Sequence, residues 1–140
     1  MTVRTLTRFS PLLLVLFGVL FPFQWLAEHW GGFGTLLSTV VPGERAHTVA
    51  HAALYFTLGL VAVNTFPRLC RSPLAFFALV VVAAVTQEVF QLMYKDALLS
   101  FDTVRDMTAD FAGAAAALGA LWAMQQAGFS CPVKRRIWGD

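Results

Sequence analysis

Four long apolar stretches dominate this chain and limit the folds that it can adopt. They cover about residues 9–26, 47–66, 74–93 and 105–125. A helix needs roughly 20 residues to cross a hydrocarbon core about 30 Å thick, so each stretch is long enough to span a membrane. None of them alternates polar and apolar residues with a period of two, as barrel strands do. Because backbone groups in lipid must be hydrogen-bonded within their own segment, the sequence predicts transmembrane helices.

The composition agrees with a membrane protein. Hydrophobic residues make up 58% of the 140 residues and charged residues 13%, against roughly 45–50% and about 25% in soluble domains. These values exclude a disordered chain, which needs low hydrophobicity and high charge. The net charge is only +2 and the basic residues are scattered, so the chain lacks the basic patch that nucleic-acid binding needs. We expect an all-α protein, a four-helix transmembrane bundle that forms a single domain over residues 1–140.

The basic residues predict how this bundle is oriented, because Lys and Arg are enriched in cytoplasmic loops. One side of a four-span chain collects seven of them: Arg4, Arg8, Arg68, Arg71, Lys134, Arg135 and Arg136. The other side collects three: Arg45, Lys95 and Arg105. We therefore expect both termini in the cytoplasm, with Cys70 and Cys131 on the same side and reduced. Pro22, near the outer end of the first stretch, predicts a kink or an early stop there.

Ionisable and amide side chains interrupt three of the four spans, where a charge costs on the order of 2.5–3.5 kcal/mol at the helix centre. Those that lie at helical spacing include His47, His51 and Tyr55 in the second span, Glu88 and Gln91 in the third, and Asp106 and Asp110 in the fourth. Within each span they recur three or four residues apart and so share one helix face. At a rise of about 1.5 Å per residue, all three sets fall in the outer half of the membrane. The sequence predicts one polar cluster open toward the outer face.

Two interpretations of this cluster stay open. Carboxylates, imidazoles and amides can simply hold neighbouring helices together by hydrogen bonds. Alternatively, His47, His51, Glu88, Gln91, Asp106 and Asp110 line a site for a polar ligand, with Tyr55 as its floor. In an enzymatic version of the second interpretation, Glu88 is the general base and His51 its proton partner. The sequence does not decide whether a reaction is catalysed.

A metal ion is a further candidate for this cluster. His47 and His51 have the two-histidine helical spacing of a zincin motif, but Thr48 stands where the catalytic Glu would be. With Asp106 or Asp110, two imidazoles and a carboxylate could bind a divalent ion. Because this spacing alone is weak evidence, the sequence assigns no metal and no cofactor.

Small residues give the fourth span a second distinctive face. Residues 112–117 are all alanine or glycine, and Gly113 and Ala117 form a small-xxx-small pair. Such pairs let helix backbones approach closely. The pattern predicts that this helix is central, with the larger side chains of the first and third spans packed on it. Packing within one chain is favoured over a homodimer.

Three short motifs recur here in the order and spacing of a known family. The chain carries His51-x-x-x-Tyr55-x-x-Leu58-Gly59, Glu88-x-x-Gln91 and Asp106-x-x-x-Asp110-x-x-Gly113. Together they resemble the second, third and fourth helices of VanZ-like membrane proteins, over about residues 44–121. Asp110 replaces the family's Asn, and His47-Thr48 stand where the family often has Asp-Lys. Lys95 and Arg105 are the nearest basic residues to the family's loop Arg.

The resemblance implies a small multi-pass protein of the bacterial cytoplasmic (inner) membrane. The family's name-giving member is associated with low-level teicoplanin resistance, which we do not transfer to this chain. We expect a cell-envelope protein whose outer-leaflet polar pocket binds a lipid-linked or headgroup-bearing ligand. Membrane lipids and a lipid-linked envelope precursor are the expected partners. The alternative is a structural or accessory subunit whose polar cluster only stabilises helix packing.

Overall fold

The computed structural model describes residues 3–95 and 101–128, and all regular structure in these ranges is helical. The prediction of an all-α chain is therefore confirmed at the level of fold class. The helices are α1 (Val3–Leu20), α2 (Phe23–His29), α3 (Gly31–Val40), α4 (Gly43–Thr65), a short 3-10 helix (Pro67–Arg71), α5 (Pro73–Lys95) and α6 (Phe101–Gln126).

Three of these helices are long and apolar enough to cross a membrane: α4, α5 over Pro73–Met93, and α6. The first predicted span, residues 9–26, is not one straight helix. Phe9–Leu20 and Phe23–His29 meet at a bend of 58°. The break falls at Pro22, which has no N–H to donate and whose ring restricts its backbone, as the sequence indicates. Residues 3–95 and 101–128 contain four candidate spans only if this bent pair counts as one.

Several helix boundaries differ from those expected. The segment between the first two predicted spans contains α3, whose glycines allow close packing: a Cβ on Gly34 would lie 2.8 Å from the Ala27 carbonyl oxygen of α2. Helix α4 begins at Gly43, before the predicted residue 47, and α6 begins at Phe101. The apolar pattern alone missed these first turns because they are polar, with Glu44 and Asp102 placed where a helix N-terminus favours acidic side chains.

Helix α4 is the centre of the packing, contacting α1, α5 and most extensively α6. The expectation that the first and third spans pack on α6 is met in part, because α5 packs on α6 whereas α1 packs mainly on α4. The small residues of α6 allow this helix to pack closely against α4. A Cβ on Gly113 would collide with the Ala52 carbonyl group, and one on Gly59 would lie 2.8 Å from the Ala117 Cβ. The small-xxx-small pair thus serves packing within the chain.

Cys70 lies in the 3-10 helix and is disulfide-bonded. The Gln125 side-chain amide, near the end of α6, approaches its Sγ at 2.9 Å. The expectation that Cys70 is reduced is therefore wrong in this structure; Cys131, the only other cysteine in the sequence, lies outside the described residues. Disulfides persist in oxidising compartments. A disulfide at Cys70 favours a position of the 3-10 helix outside the cytoplasm, whereas the count of basic residues favours a position inside it.

Candidate functional site

The predicted polar residues lie at one end of the bundle, where α4 and α6 begin and α5 ends. Helices α4 and α6 both start at this end, so their first turns lie side by side, and α5 returns to it. His47, His51 and Tyr55 follow one another at four-residue intervals along α4, and Asp106 and Asp110 do so along α6. Because α6 packs closely on α4, these two faces point toward each other.

His51 is at the centre of the polar cluster. It is buried between two buried carboxylates, Asp106 and Asp110. Its Nδ1 lies 2.9 Å from Oδ1 of Asp110, which is hydrogen-bond distance. Its Nε2 lies 3.9 Å from Oδ2 of Asp106, which is too long for a hydrogen bond. An ionised carboxylate only accepts, so with Asp110 ionised the His51 Nδ1–H is the donor.

His47 lies at the surface end of the same helix face. Its side chain is 46% exposed, and its Nδ1 lies 3.5 Å from Oδ1 of Asp106. The His47 and His51 rings are neighbours, with centroids 4.7 Å apart. Asp106 therefore has an imidazole near each of its carboxylate oxygens. The buried His51 ring lies near Oδ2, and the exposed His47 ring lies near Oδ1.

Arg105 forms a charged rim beside this cluster. Its guanidinium reaches Oε2 of Glu44 at 3.0 Å and Oδ1 of Asp102 at 3.3 Å, and its Nε lies 3.8 Å from Oδ1 of Asp106. Arg105 precedes Asp106 in the sequence, which hints at a role near the site. Its pairing with Glu44 could not be foreseen, because the two residues are 61 positions apart.

Glu88 reaches the cluster from α5. It is buried, it accepts a hydrogen bond from the Thr103 side chain of α6, and its Oε1 has no hydrogen-bond partner among the described residues. Within the described part of the chain the direct carboxylate partner of His51 is Asp110, and Glu88 forms no ion pair with His51. Gln91 is half-buried one turn further along α5. Thr103 was not singled out from the sequence.

Tyr55 separates the polar cluster from the apolar core. Its side chain is fully buried, and its hydroxyl donates a hydrogen bond to Oε1 of Gln87 at 3.0 Å. Beyond it along α4 lie Leu58 and Ala62, which belong to the apolar core. The role of Tyr55 as the floor of a ligand site stays a prediction. Gln87 was missed, although it directly precedes Glu88 and lies four residues from Gln91.

The cluster contains more carboxylate than the described donors satisfy. Glu88, Asp106 and Asp110 are all buried, whereas Arg105 is the one Lys or Arg side chain described within 4 Å of any of them. Oε1 of Glu88 and Oδ2 of Asp110 have no hydrogen-bond partner in the described part of the chain. A buried polar atom left in this state costs about 1–3 kcal/mol. The arrangement can therefore accept a proton, a cation or a ligand with hydrogen-bond donors.

A separate apolar groove of about 490 Å³ lies at the opposite end of the bundle, around the 3-10 helix. Its lining comprises Phe66, Arg68, Leu69, Ala75, Ala78, Leu79 and Val82. None of the predicted site residues contributes to it. The groove is therefore distinct from the polar cluster.

Comparison with known proteins adds no relative. No family model matches the chain, and no curated protein or solved structure matches it either. The resemblance to VanZ-like proteins therefore remains a prediction that depends on the three motifs.

Proposed function

We propose that this chain is a VanZ-like, multi-pass protein of the bacterial cytoplasmic membrane and that it serves the cell envelope. In this proposal the bent pair α1–α2 is the first span of a four-helix transmembrane bundle, and both termini are cytoplasmic. The three long apolar helices and the bent fourth candidate support it. The excess of basic residues on one side supports the orientation.

We propose further that the polar cluster lies in the outer leaflet and binds the headgroup of a lipid-linked ligand. The observation that carries this proposal is the pair of buried carboxylate oxygens, on Glu88 and Asp110, that have no described partner. Carboxylates accept hydrogen bonds, so the complementary headgroup carries donors such as hydroxyl, amide or ammonium groups. Tyr55 closes the site toward the apolar core, and the exposed His47 marks its opening.

The contacts also indicate which groups would exchange protons if a reaction took place here. Asp110, rather than Glu88, is hydrogen-bonded to His51. A general-base role for Glu88 would therefore need substrate or water to connect it to the imidazole. The proposal consequently assigns binding roles to His47, Tyr55, Gln91, Asp106 and Asp110, and it leaves the acid–base pair of Glu88 and His51 as the enzymatic version.

A purely structural role is the second candidate, and a specific observation favours it. The contacts between His51 and Asp110 and between His47 and Asp106 connect α4 directly to α6. An interhelical hydrogen bond such as the one between His51 and Asp110 contributes about 0.6–2 kcal/mol in membrane proteins. In this case the protein is an accessory subunit whose cluster holds its helices together.

Replacing Glu88 by Gln separates the two functions, because it removes the charge while it keeps the side-chain shape. Glu28→Gln on α2 is the matched control, since Glu28 is exposed and contacts Gln24 of its own helix. The intact protein would be purified in mild detergent, and its melting temperature and co-purified lipids measured. We expect Glu88→Gln to retain the melting temperature and to lose a headgroup-specific lipid that the control retains. A lowered melting temperature with an unchanged lipid profile would support the structural role.

A further inference from the structure

We infer that His47, His51 and Asp106 form a binding site for a divalent transition-metal cation. One ligand atom from each of the three lies within 4.8 Å of the other two. The closest approaches to Asp106 are 3.5 Å from His47 Nδ1 and 3.9 Å from His51 Nε2. Ligand atoms at 2.0–2.1 Å from a tetrahedral zinc ion are about 3.3 Å apart. Small side-chain rotations are therefore enough to bring all three atoms to one ion.

The hydrogen bond on the other side of His51 prepares this geometry. When the Nδ1–H of a neutral His51 ring donates a hydrogen bond to Asp110, the lone pair of Nε2 points toward Oδ2 of Asp106. Two acceptors then face each other across 3.9 Å, with no hydrogen bond between them. A cation between them turns this repulsion into two coordinate bonds. Carboxylate, histidine and metal in a row is the usual arrangement around metal-binding histidines.

The state of Asp106 is an independent observation that points to the same ligand. Its side chain is only 5% exposed, and its Oδ1 has no hydrogen-bond partner in the described residues. The nearest groups, His47 Nδ1 and Arg105 Nε, are 3.5 and 3.8 Å away. A buried carboxylate with one imidazole near each oxygen, and with no hydrogen bond to Oδ1, is a strong ligand for a cation.

The donor set limits the kind of cation. Two imidazoles and one carboxylate suit zinc, iron, cobalt or nickel, whereas magnesium and calcium prefer oxygen ligands alone. Three protein ligands also leave at least one coordination position free. The exposure of His47 gives that position access from the surroundings. This inference does not depend on the proposed headgroup function, because it rests only on the contacts between α4 and α6.

Zinc binding to the intact protein tests the site. The protein would be purified in detergent without a histidine tag, stripped with a chelator, and titrated with zinc by calorimetry at neutral pH. We expect one ion per chain and a binding constant at least tenfold weaker for His47→Ala. His29→Ala is the matched control, because His29 is the remaining histidine of the sequence, is exposed, and both hydrogen-bonds to and stacks on Trp25 of its own helix. We expect this control to bind as the parent does.

Two further measurements separate a lost ligand from a damaged fold. Zinc should raise the melting temperature of the parent, because a ligand that binds only the folded state stabilises it, and should raise that of His47→Ala much less. Asp110→Asn, which keeps an acceptor for His51 Nδ1–H, should weaken binding by about 10–100-fold as a positioning change. The absence of zinc binding in the parent, or equal binding by His47→Ala and His29→Ala, would overturn the inference. A doubly protonated His51 between two carboxylates would then account for the cluster.

Discussion

Replacing Gly113 by Ala would test whether the close packing of α6 on α4 holds the polar cluster together. The new Cβ would collide with the Ala52 carbonyl oxygen and lie 2.8 Å from its carbon. Carbon atoms in favourable contact are about 3.5–4.0 Å apart, so the helices must separate by roughly 0.7 Å or more. Asp110, one turn from Gly113, is 2.9 Å from its partner on His51, and this separation would stretch the bond beyond hydrogen-bond length.

The expected change in stability combines two destabilising effects and one stabilising effect. Overpacking of this kind typically costs about 1–3 kcal/mol, and the lost interhelical hydrogen bond adds about 0.6–2 kcal/mol. Replacing Gly by Ala within a helix raises the free energy of unfolding by about 0.5–1 kcal/mol. We therefore expect a net loss of about 1–4 kcal/mol in the free energy of unfolding.

Gly119→Ala is the matched control, because it is the same change in the same helix with nothing within 4 Å of the new Cβ. It should leave the stability unchanged or raise it slightly. Reversible unfolding in detergent, followed by circular dichroism, measures both variants. If Gly113→Ala proved as stable as Gly119→Ala, the close contact between α4 and α6 would be refuted, and with it the geometry of the site.

Two other predictions concern the floor of the site and the orientation of the chain. Tyr55→Phe removes the hydroxyl that bonds Gln87 and should lower the free energy of unfolding by about 1 kcal/mol; an unchanged stability would mean that this hydrogen bond contributes nothing. With Cys131 replaced by Ser and the cells mildly reduced, Cys70 should resist a membrane-impermeant thiol reagent, whereas a Ser38→Cys probe on α3 should react. Labelling of Cys70 in intact cells would reverse the proposed orientation.

The sequence by itself determined the class of the fold. Length and continuity of apolar residues are local properties, so they identified the helices α4, α5 and α6 as candidate spans, and Pro22 marked the break in the first stretch. The ends of the helices were less accurate, because the polar first turns of α4 and α6 carry no apolar signal. Helix α3 was not predicted, because its packing against α2 depends on the close approach that Gly34 allows.

Residue types at helical spacing also identified most of the polar cluster, since an ionisable group inside an apolar span stands out without any knowledge of its neighbours. Only the tertiary structure decided the partners. Whether His51 meets Asp110 or Glu88 depends on how α4 and α6 are rotated and how closely they approach, and Gly113 sets that approach through a contact distant in sequence. For the same reason, the sequence did not predict the hydrogen bond between the Tyr55 hydroxyl and Gln87. Side-chain chemistry is encoded locally, whereas the distances that turn it into a site arise from the packing of one helix against another.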